Sequence, residues 1–313
     1  MEHIRAKKSL GQNFLIDHEA LIDIASSIDV SGKHIIEVGP GYGALTDYII
    51  QDGPASLDLV ELDWDMVKIL SEKYPNLVSD KSILFDELSD SLVEVSEEIQ
   101  EVSEVSWISG NEPVRESKVN QREGELSETT GNTFKLHHQD ILTFTPPYKD
   151  YSVIANIPYY ITSPILFHFL YDLPHAPEAM TIMMQKEVGE KILEWRARKP
   201  HHSLLSLAME QACEDIAIIR YVGKESFDPA PKVDSIVLRF DGKKDRNQSE
   251  EEALIKIWKV AFTHPRKTLL SNFKWSHYDI EKIKKWLTTC GYDERVRAEA
   301  VERNDWNKLL PLL

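Results

Sequence analysis

Residues 153–164 read VIANIPYYITSP. The apolar run Val153-Ile154-Ala155 ends in Asn156, and Pro158, Tyr159 and Tyr160 follow directly. A carboxamide oxygen can accept a hydrogen bond from an amine. A proline stiffens the carbonyls beside it and adds no N–H of its own. The ring of Tyr159 or of Tyr160 offers a flat face on which a base can stack. In this order the residues can hold and orient an exocyclic amine on a planar ring. A strand-ending turn with incidental tyrosines is the plain alternative.

Three other places could complete such a site. EVGPGYGAL (37–45) spaces Gly39, Gly41 and Gly43 as G-x-G-x-G, a turn whose glycines tolerate positive φ and let backbone N–H groups approach a ligand. The dinucleotide fingerprint, G-x-G-x-x-G, is not met. Further on, VELD puts Glu61 at the end of a second apolar run and Asp63 just after it. An acid there can accept both hydroxyls of a ribose. Glu37, with no phosphate-binding lysine nearby, argues against a di- or triphosphate and for a cationic nucleoside ligand. In HHQDIL, Asp140 can accept from an adenine amine or simply cap a helix. His137 and His138 lack metal-ligand spacing and read as strand and surface residues, so no metal is expected.

The elements that must position these residues alternate. DHEALIDIASSI (17–28) has helical spacing with Asp17 as N-cap. HIIEVGPG (34–41) is a strand entering a tight turn, ALTDYII (44–50) a helix, LDLVELD (57–63) a strand and WDMVKILSEKY (64–74) a helix. The rhythm resumes at FKLHHQDILTF (134–144), then YSVIANIPYY, a helix over 163–171, the strand AMTIMMQ (179–185), and helices in KEVGEKILEWRA and HSLLSLAMEQA (202–212). DIAIIRYV and VDSIVLRF (233–240) are the last strands, and the chain is helical from about 243 onward. This β-α-β-α order implies a largely parallel sheet with right-handed crossovers.

The net charge of −16 taken alone argues against nucleic acid as a partner. The charge is uneven, however. Residues 79–133 carry 14 acids and 4 bases, a net of −10, so the rest sums to about −6. Both ends are locally basic: Arg5, Lys7 and Lys8, then HPRKTLLSNFK (264–274). Within 79–133 the later part has the composition of a disordered segment, while Leu88, Leu92, Val95, Ile99 and Val102 fit one face of an amphipathic helix. Cys213 and Cys290 form no CxxC and read as reduced thiols. No apolar run reaches the length of a membrane span and MEHIRAKKSLGQNFL has no signal-peptide core, so a cytoplasmic protein with no membrane partner is expected.

Together with KKSLGQNFL (7–15), EVGPGYGALT, VELD, NIPYY, QKEV (185–188) and FDPAPKVDSIVLRF (227–240), the chain resembles the ribosomal RNA adenine N6-dimethyltransferases. The resemblance covers nearly the whole chain except 79–133. It implies a class I S-adenosylmethionine-dependent methyltransferase: a Rossmann-like α/β fold with a mostly parallel seven-stranded sheet (1–242) and a small all-α C-terminal domain (243–313) that helps grip rRNA. It implies S-adenosylmethionine as cofactor. The implied partner is small-subunit ribosomal RNA, or the particle that becomes the small subunit, acted on by a monomer. By resemblance, Asn13 and Leu15 close the cofactor's methionine end, Gly39 and Gly41 form its glycine turn, Glu61 holds its ribose and Asp140 its adenine amine. Asn156, at the border of both sites, and the Pro158 backbone hold the target N6. Tyr159 stacks on the target base and Phe227 covers its other face.

QKEV and RKTLLSNF look like the small-subunit branch. A large-subunit rRNA methyltransferase of the macrolide-resistance type is the alternative within the class. Outside it, the alternative is a non-catalytic ribosome-assembly factor on the same fold. The departure from the family is the acidic stretch 79–133, whose ends precede a strand and so are expected to face away from RNA.

Overall fold

Four short runs, largely buried on both faces, stack side by side because β-branched and aliphatic residues leave no face suited to water, and a more exposed fifth strand edges them. The computed structural model describes residues 7, 10–75, 133–196 and 201–312. In it β2 (His34–Val38) pairs in parallel with β3 (Ser56–Glu61) on one side and β5 (Ser152–Asn156) on the other. β4 (Thr133–His138) extends the sheet beyond β3, and β6 (Ala179–Gln185) extends it beyond β5. The described chain thus runs outward in one direction through β2, β3 and β4, then returns and runs outward in the other. The gap between the ends of β2 and β5 is the topological switch point where open α/β sheets bind ligands.

Beyond β6 the order becomes β9 (Ser235–Gly242), then β7 (Cys213–Val222), completing a seven-stranded sheet β4-β3-β2-β5-β6-β9-β7. β9 is antiparallel to both neighbours, so the mostly parallel sheet carries one reversed strand near its edge. A second, two-stranded sheet joins β1 (Phe14–Leu15) to β8 (Phe227–Asp228), with Phe14 opposite Asp228 and Leu15 opposite Phe227.

The helices follow their caps. α1 (His18–Ala25) starts at Asp17, whose carboxylate accepts from the Ala20 amide at 3.1 Å, and buries Leu21 and Ile24. α2 (Thr46–Gln51) leaves the glycine turn, and α3 (Trp64–Lys73) is capped by Asp63. α4 (Thr162–Phe167) runs on into a π-turn at His168–Asp172, where the sequence periodicity reads as one continuous helix. α5 (Lys186–Leu193) and α6 (Leu204–Ala212) complete the sheet's cover.

The tail forms α7 (Gln248–Ala261), α8 (Leu269–Phe273), α9 (Ile280–Thr289) and α10 (Arg303–Asn307). Trp258, Trp286 and Trp306 are fully buried there, in one hydrophobic core with Met209, Phe240 and the central strands. The described residues belong to a single unit.

The helix read over Leu88–Val102, like the rest of 79–132, lies outside the described residues. Its described flanks differ. Thr133 pairs with Ser56 at the end of the sheet remote from Glu61. Tyr74, on the other flank, donates its hydroxyl toward the Gly43 carbonyl at 3.0 Å and Asp47 at 2.6 Å, so that flank touches the glycine turn.

Candidate active site

A cavity of about 270 Å³ opens at the switch point. Its floor is the turn after β2 and the ends of β3 and β5, and its roof is the segment Leu10–Ile16. Gly41 and Gly43 sit at φ +57° and +73°. A Cβ on Gly41 would meet the Phe14 ring at 3.1 Å, and one on Gly43 would meet the Tyr74 hydroxyl at 2.5 Å. Both conformation and close approach therefore demand glycine at these two positions.

The acids divide by environment. Glu61 is 8% exposed and lines the cavity. One of its oxygens accepts from the Leu62 and Asp63 amides, each at 2.9 Å, and the other from the Gly41 amide at 3.2 Å. Burial nevertheless keeps its pKa above the ordinary value, against those three amides. Glu37 is 1% exposed, and burial pushes it up to about 8 while the Thr46 hydroxyl donates to it at 2.6 Å. It is thus largely neutral at pH 7 in the free protein, where its residue type alone suggested a fixed charge.

Asp63, the other acid of VELD, is not part of the cavity wall. It is committed elsewhere: Lys7 Nζ donates to it at 2.6 Å, Gln12 Nε2 at 2.7 Å and the Asp65 amide at 3.0 Å. Asp140 lies two residues beyond β4, and one of its oxygens accepts from the Leu142 amide at 2.9 Å, capping a 3-10 turn. Asp140 thus caps a turn, and it also lines the cavity. His137 is more than a strand residue: its Nε2 lies 2.7 Å from the buried Asp58 carboxylate.

On the opposite wall, Asn156 ends β5, and its carboxamide makes no hydrogen bond with any described residue. Pro158 begins a 3-10 turn, and its carbonyl already accepts from the Ile161 amide at 3.2 Å. The Ile157 carbonyl accepts no such bond among the described residues. Tyr159 is half-buried, with its hydroxyl 2.7 Å from that of the fully buried Ser235. Tyr160 is 63% exposed. Phe227 is buried in β8 and reaches the same cavity, as do Leu15, buried in β1, and Asn13, whose amide donates to the Gly11 carbonyl at 3.0 Å.

The site thus brings together Asn13, Leu15, Gly39, Gly41, Glu61, Asp140, Asn156, Pro158, Tyr159 and Phe227. Ile157, Ser235 and the Gln12–Asp63 contact were not found from sequence. Their roles depend on a backbone carbonyl and on partners far away in the chain. Among the described residues lining the cavity there are three acids and no lysine, arginine or histidine. That donor set suits a cationic nucleoside and is wrong for a phosphate.

Known proteins resemble this chain along most of its length. The small-subunit ribosomal RNA methyltransferase A of Mycoplasmopsis pulmonis is 32% identical over 306 residues, spanning 98% of each chain. That of Staphylococcus aureus is 31% identical over 313 residues, spanning 97% of this chain and 88% of its own. A dimethyladenosine transferase from Plasmodium falciparum superimposes with a TM-score of 0.63 at 19% identity, over 95% of this chain and 96% of that one. The 23S rRNA methyltransferase ErmE does so at 0.60 and 20%, over 96% and 99%. At such identities the two superpositions speak to the fold alone, which is that of class I methyltransferases. The sequence model of the ribosomal RNA adenine dimethylases matches residues 3–97 and 121–313, a narrower break than 79–133. With the glycine turn, the NIPYY strand end and the whole helical tail inside that match, this chain belongs to the ribosomal RNA adenine dimethylase family.

Proposed function

We propose that this chain is an enzyme that places two methyl groups on N6 of each of two adjacent adenosines near the 3′ end of small-subunit ribosomal RNA, with S-adenosylmethionine as donor. The observation that carries the reading is a single cavity in which, among the described residues, an acidic wall without cations faces a carboxamide without a hydrogen-bond partner and two aromatic rings. When bound, S-adenosylmethionine supplies an already activated methyl group. Glu61 would hold its ribose, the oxygen of Asp140 not used in capping its adenine amine, and Asn13 and Leu15 its methionine end. Gly39 and Gly41 let the turn's backbone come close.

Asn156 accepts a hydrogen bond from the target N6–H. The second acceptor is better assigned to the Ile157 carbonyl than to that of Pro158, which is already engaged by the Ile161 amide. Pro158 then acts by fixing the direction of the Ile157 peptide. Two acceptors on one amine draw its lone pair out of conjugation with the ring and hold it in line for transfer. Tyr159 stacks on the base and Phe227 covers its other face, so the target adenosine must leave its stack. After the first transfer N6 keeps one proton, so the second cycle relies on one acceptor alone. No general base is assigned.

The helical tail, taken as residues 243–313, is read as the rRNA grip beside a methyltransferase region over 1–242. Residues 253–278 contain Lys256, Lys259, Arg266, Lys267 and Lys274 and no acid. All five are exposed and none is ion-paired with another described residue, and Trp275 beside them is 87% exposed. Exposed cations next to an exposed aromatic suit single-stranded nucleic acid. No described helix is long and apolar enough to cross a membrane. The enzyme is read as a cytoplasmic monomer acting on the pre-small-subunit particle.

The small-subunit relatives, at about one third identity over nearly all of their length, support this choice over the large-subunit alternative. Labelled methyl transfer into isolated small and large subunits tests it. Label in the small subunit alone is expected, and label in the large subunit, or none in either, would overturn the assignment.

A further inference from the structure

The roof of the cavity is held down differently at its two ends. Toward α1, Phe14 and Leu15 pair with Asp228 and Phe227, and the Ile16 amide donates to the Ser226 carbonyl at 2.9 Å. The Phe14 ring also packs on Tyr42, with centroids 4.4 Å apart. That end is a backbone ladder with an aromatic clasp. Toward the N-terminus, the backbone hydrogen bond that Leu10–Asn13 make to another described residue is local, from the Leu10 amide to the Lys7 carbonyl at 3.0 Å.

Among the described residues, side-chain hydrogen bonds tie this second end to the sheet, and they converge on one carboxylate. The Gln12 amide donates to Asp63 at 2.7 Å, while its oxygen accepts from the Lys7 backbone amide at 2.8 Å. Lys7 Nζ lies 2.6 Å from both Asp63 and Asp65. The Asp63 side chain is 1% exposed, so its charge is taken out of water and depends on these partners. Burial raises its pKa, but the bonds from Lys7 and Gln12 outweigh that and hold it below the ordinary range. Asp63 also donates its own amide to Glu61, the acid on the cavity wall.

We infer that Asp63 and Gln12 form a latch that keeps the strap Leu10–Ile16 closed over the bound cofactor, with the hinge at the β1–β8 pairing. Gln12 and Asp63 are positioning residues that govern how long the nucleoside ligand stays. This rests on the assignment of the cavity to S-adenosylmethionine. The strap touches the other wall too: a Cβ on Gly11 would lie 3.4 Å from Pro158 and 3.5 Å from Tyr160. Opening the latch therefore disturbs the roof of both half-sites.

The test is the dissociation rate of S-adenosylmethionine measured by rapid mixing on the full chain. It compares wild type, Gln12→Ala, Asp63→Ser and the double variant. Serine keeps an N-cap for α3 but cannot span to Gln12. Each single variant is expected to speed release roughly tenfold, the scale of one hydrogen bond to a charged group. KM for the cofactor should rise more than kcat falls. The double variant should release no faster than Asp63→Ser, because both changes break one contact. Multiplying effects would mean that Gln12 touches the cofactor itself, and wild-type release rates, with or without a lower Tm, would make the contact purely structural; either overturns the latch. A wild type that binds no S-adenosylmethionine would sink the parent assignment, and the latch with it.

Discussion

At the scale of single residues, the proposed chemistry rests on Asn156. Replacing it with alanine removes one oriented acceptor from the reacting amine and leaves the acids of the cofactor wall untouched. Methyl transfer in a single turnover should fall by about 10²-fold or more, while calorimetry shows cofactor affinity little changed. Glu37 yields a second prediction. Its folded pKa, about 8, lies above the ordinary 4.5. Below 4.5 the proton is bound in both states and the group is neutral in its effect. Between the two values the unfolded chain releases a proton that the folded chain keeps, so stability falls as pH rises, by up to about 1.4 kcal/mol per unit. Denaturation of Glu37→Gln without cofactor should show a gain over wild type that grows from pH 5 to 8 and then levels. Parallel curves would mean that Glu37 is ionised in the fold. Asn156, Glu61 and Asp140 were legible because polar residues at the ends of apolar runs must meet at a parallel sheet's edge. The raised pKa of Glu37, the Ile157 carbonyl left without a bond from the described residues and the commitment of Asp63 to Lys7 and Gln12 were not, since burial and carbonyl direction are set by packing.

At the scale of elements, the glycine turn is clamped by α3. Gly43→Ala places a methyl group 2.5 Å from the Tyr74 hydroxyl at a φ of +73°. Both strain and overlap act, and a loss of roughly 1–3 kcal/mol follows. A melt should show Tm lower by several degrees, with cofactor affinity reduced because the same turn floors the cavity; a variant as stable as wild type would remove Tyr74 from the turn's support. Most elements were readable, as the cap at Asp17 and the β-α alternation show. Three features were hidden. β1 and β8 have two residues each, too few for any period. The π-turn at His168–Asp172 keeps the helical spacing of its neighbours. The reversal of β9 depends on which edge the chain returns to, and an alternating run does not encode that.

At the scale of the whole molecule, net charge hides a local basic surface. The value of −16 argues against RNA, yet the exposed stripe from Lys256 to Lys274 contains no acid. The family match asks nothing of residues 98–120, which hold five acids against two bases. Deleting them behind a short Gly/Ser linker should leave Tm within a few degrees and cofactor binding intact. RNA affinity should rise modestly at low salt, where charges act over longer distances. A Tm lower by more than several degrees would assign that stretch a structural role.

The RNA product itself distinguishes a small-subunit dimethylase from every other reading of the cavity. Small-subunit particles lacking the modification are incubated with the chain and S-adenosylmethionine, and the 3′ region of their rRNA is read by mass spectrometry of nuclease fragments. Two adjacent adenosines, each carrying two methyl groups on N6, are expected, with about 10²-fold slower formation by Asn156→Ala. Methylation confined to the large subunit, on another base, or absent with the cofactor bound would contradict that reading.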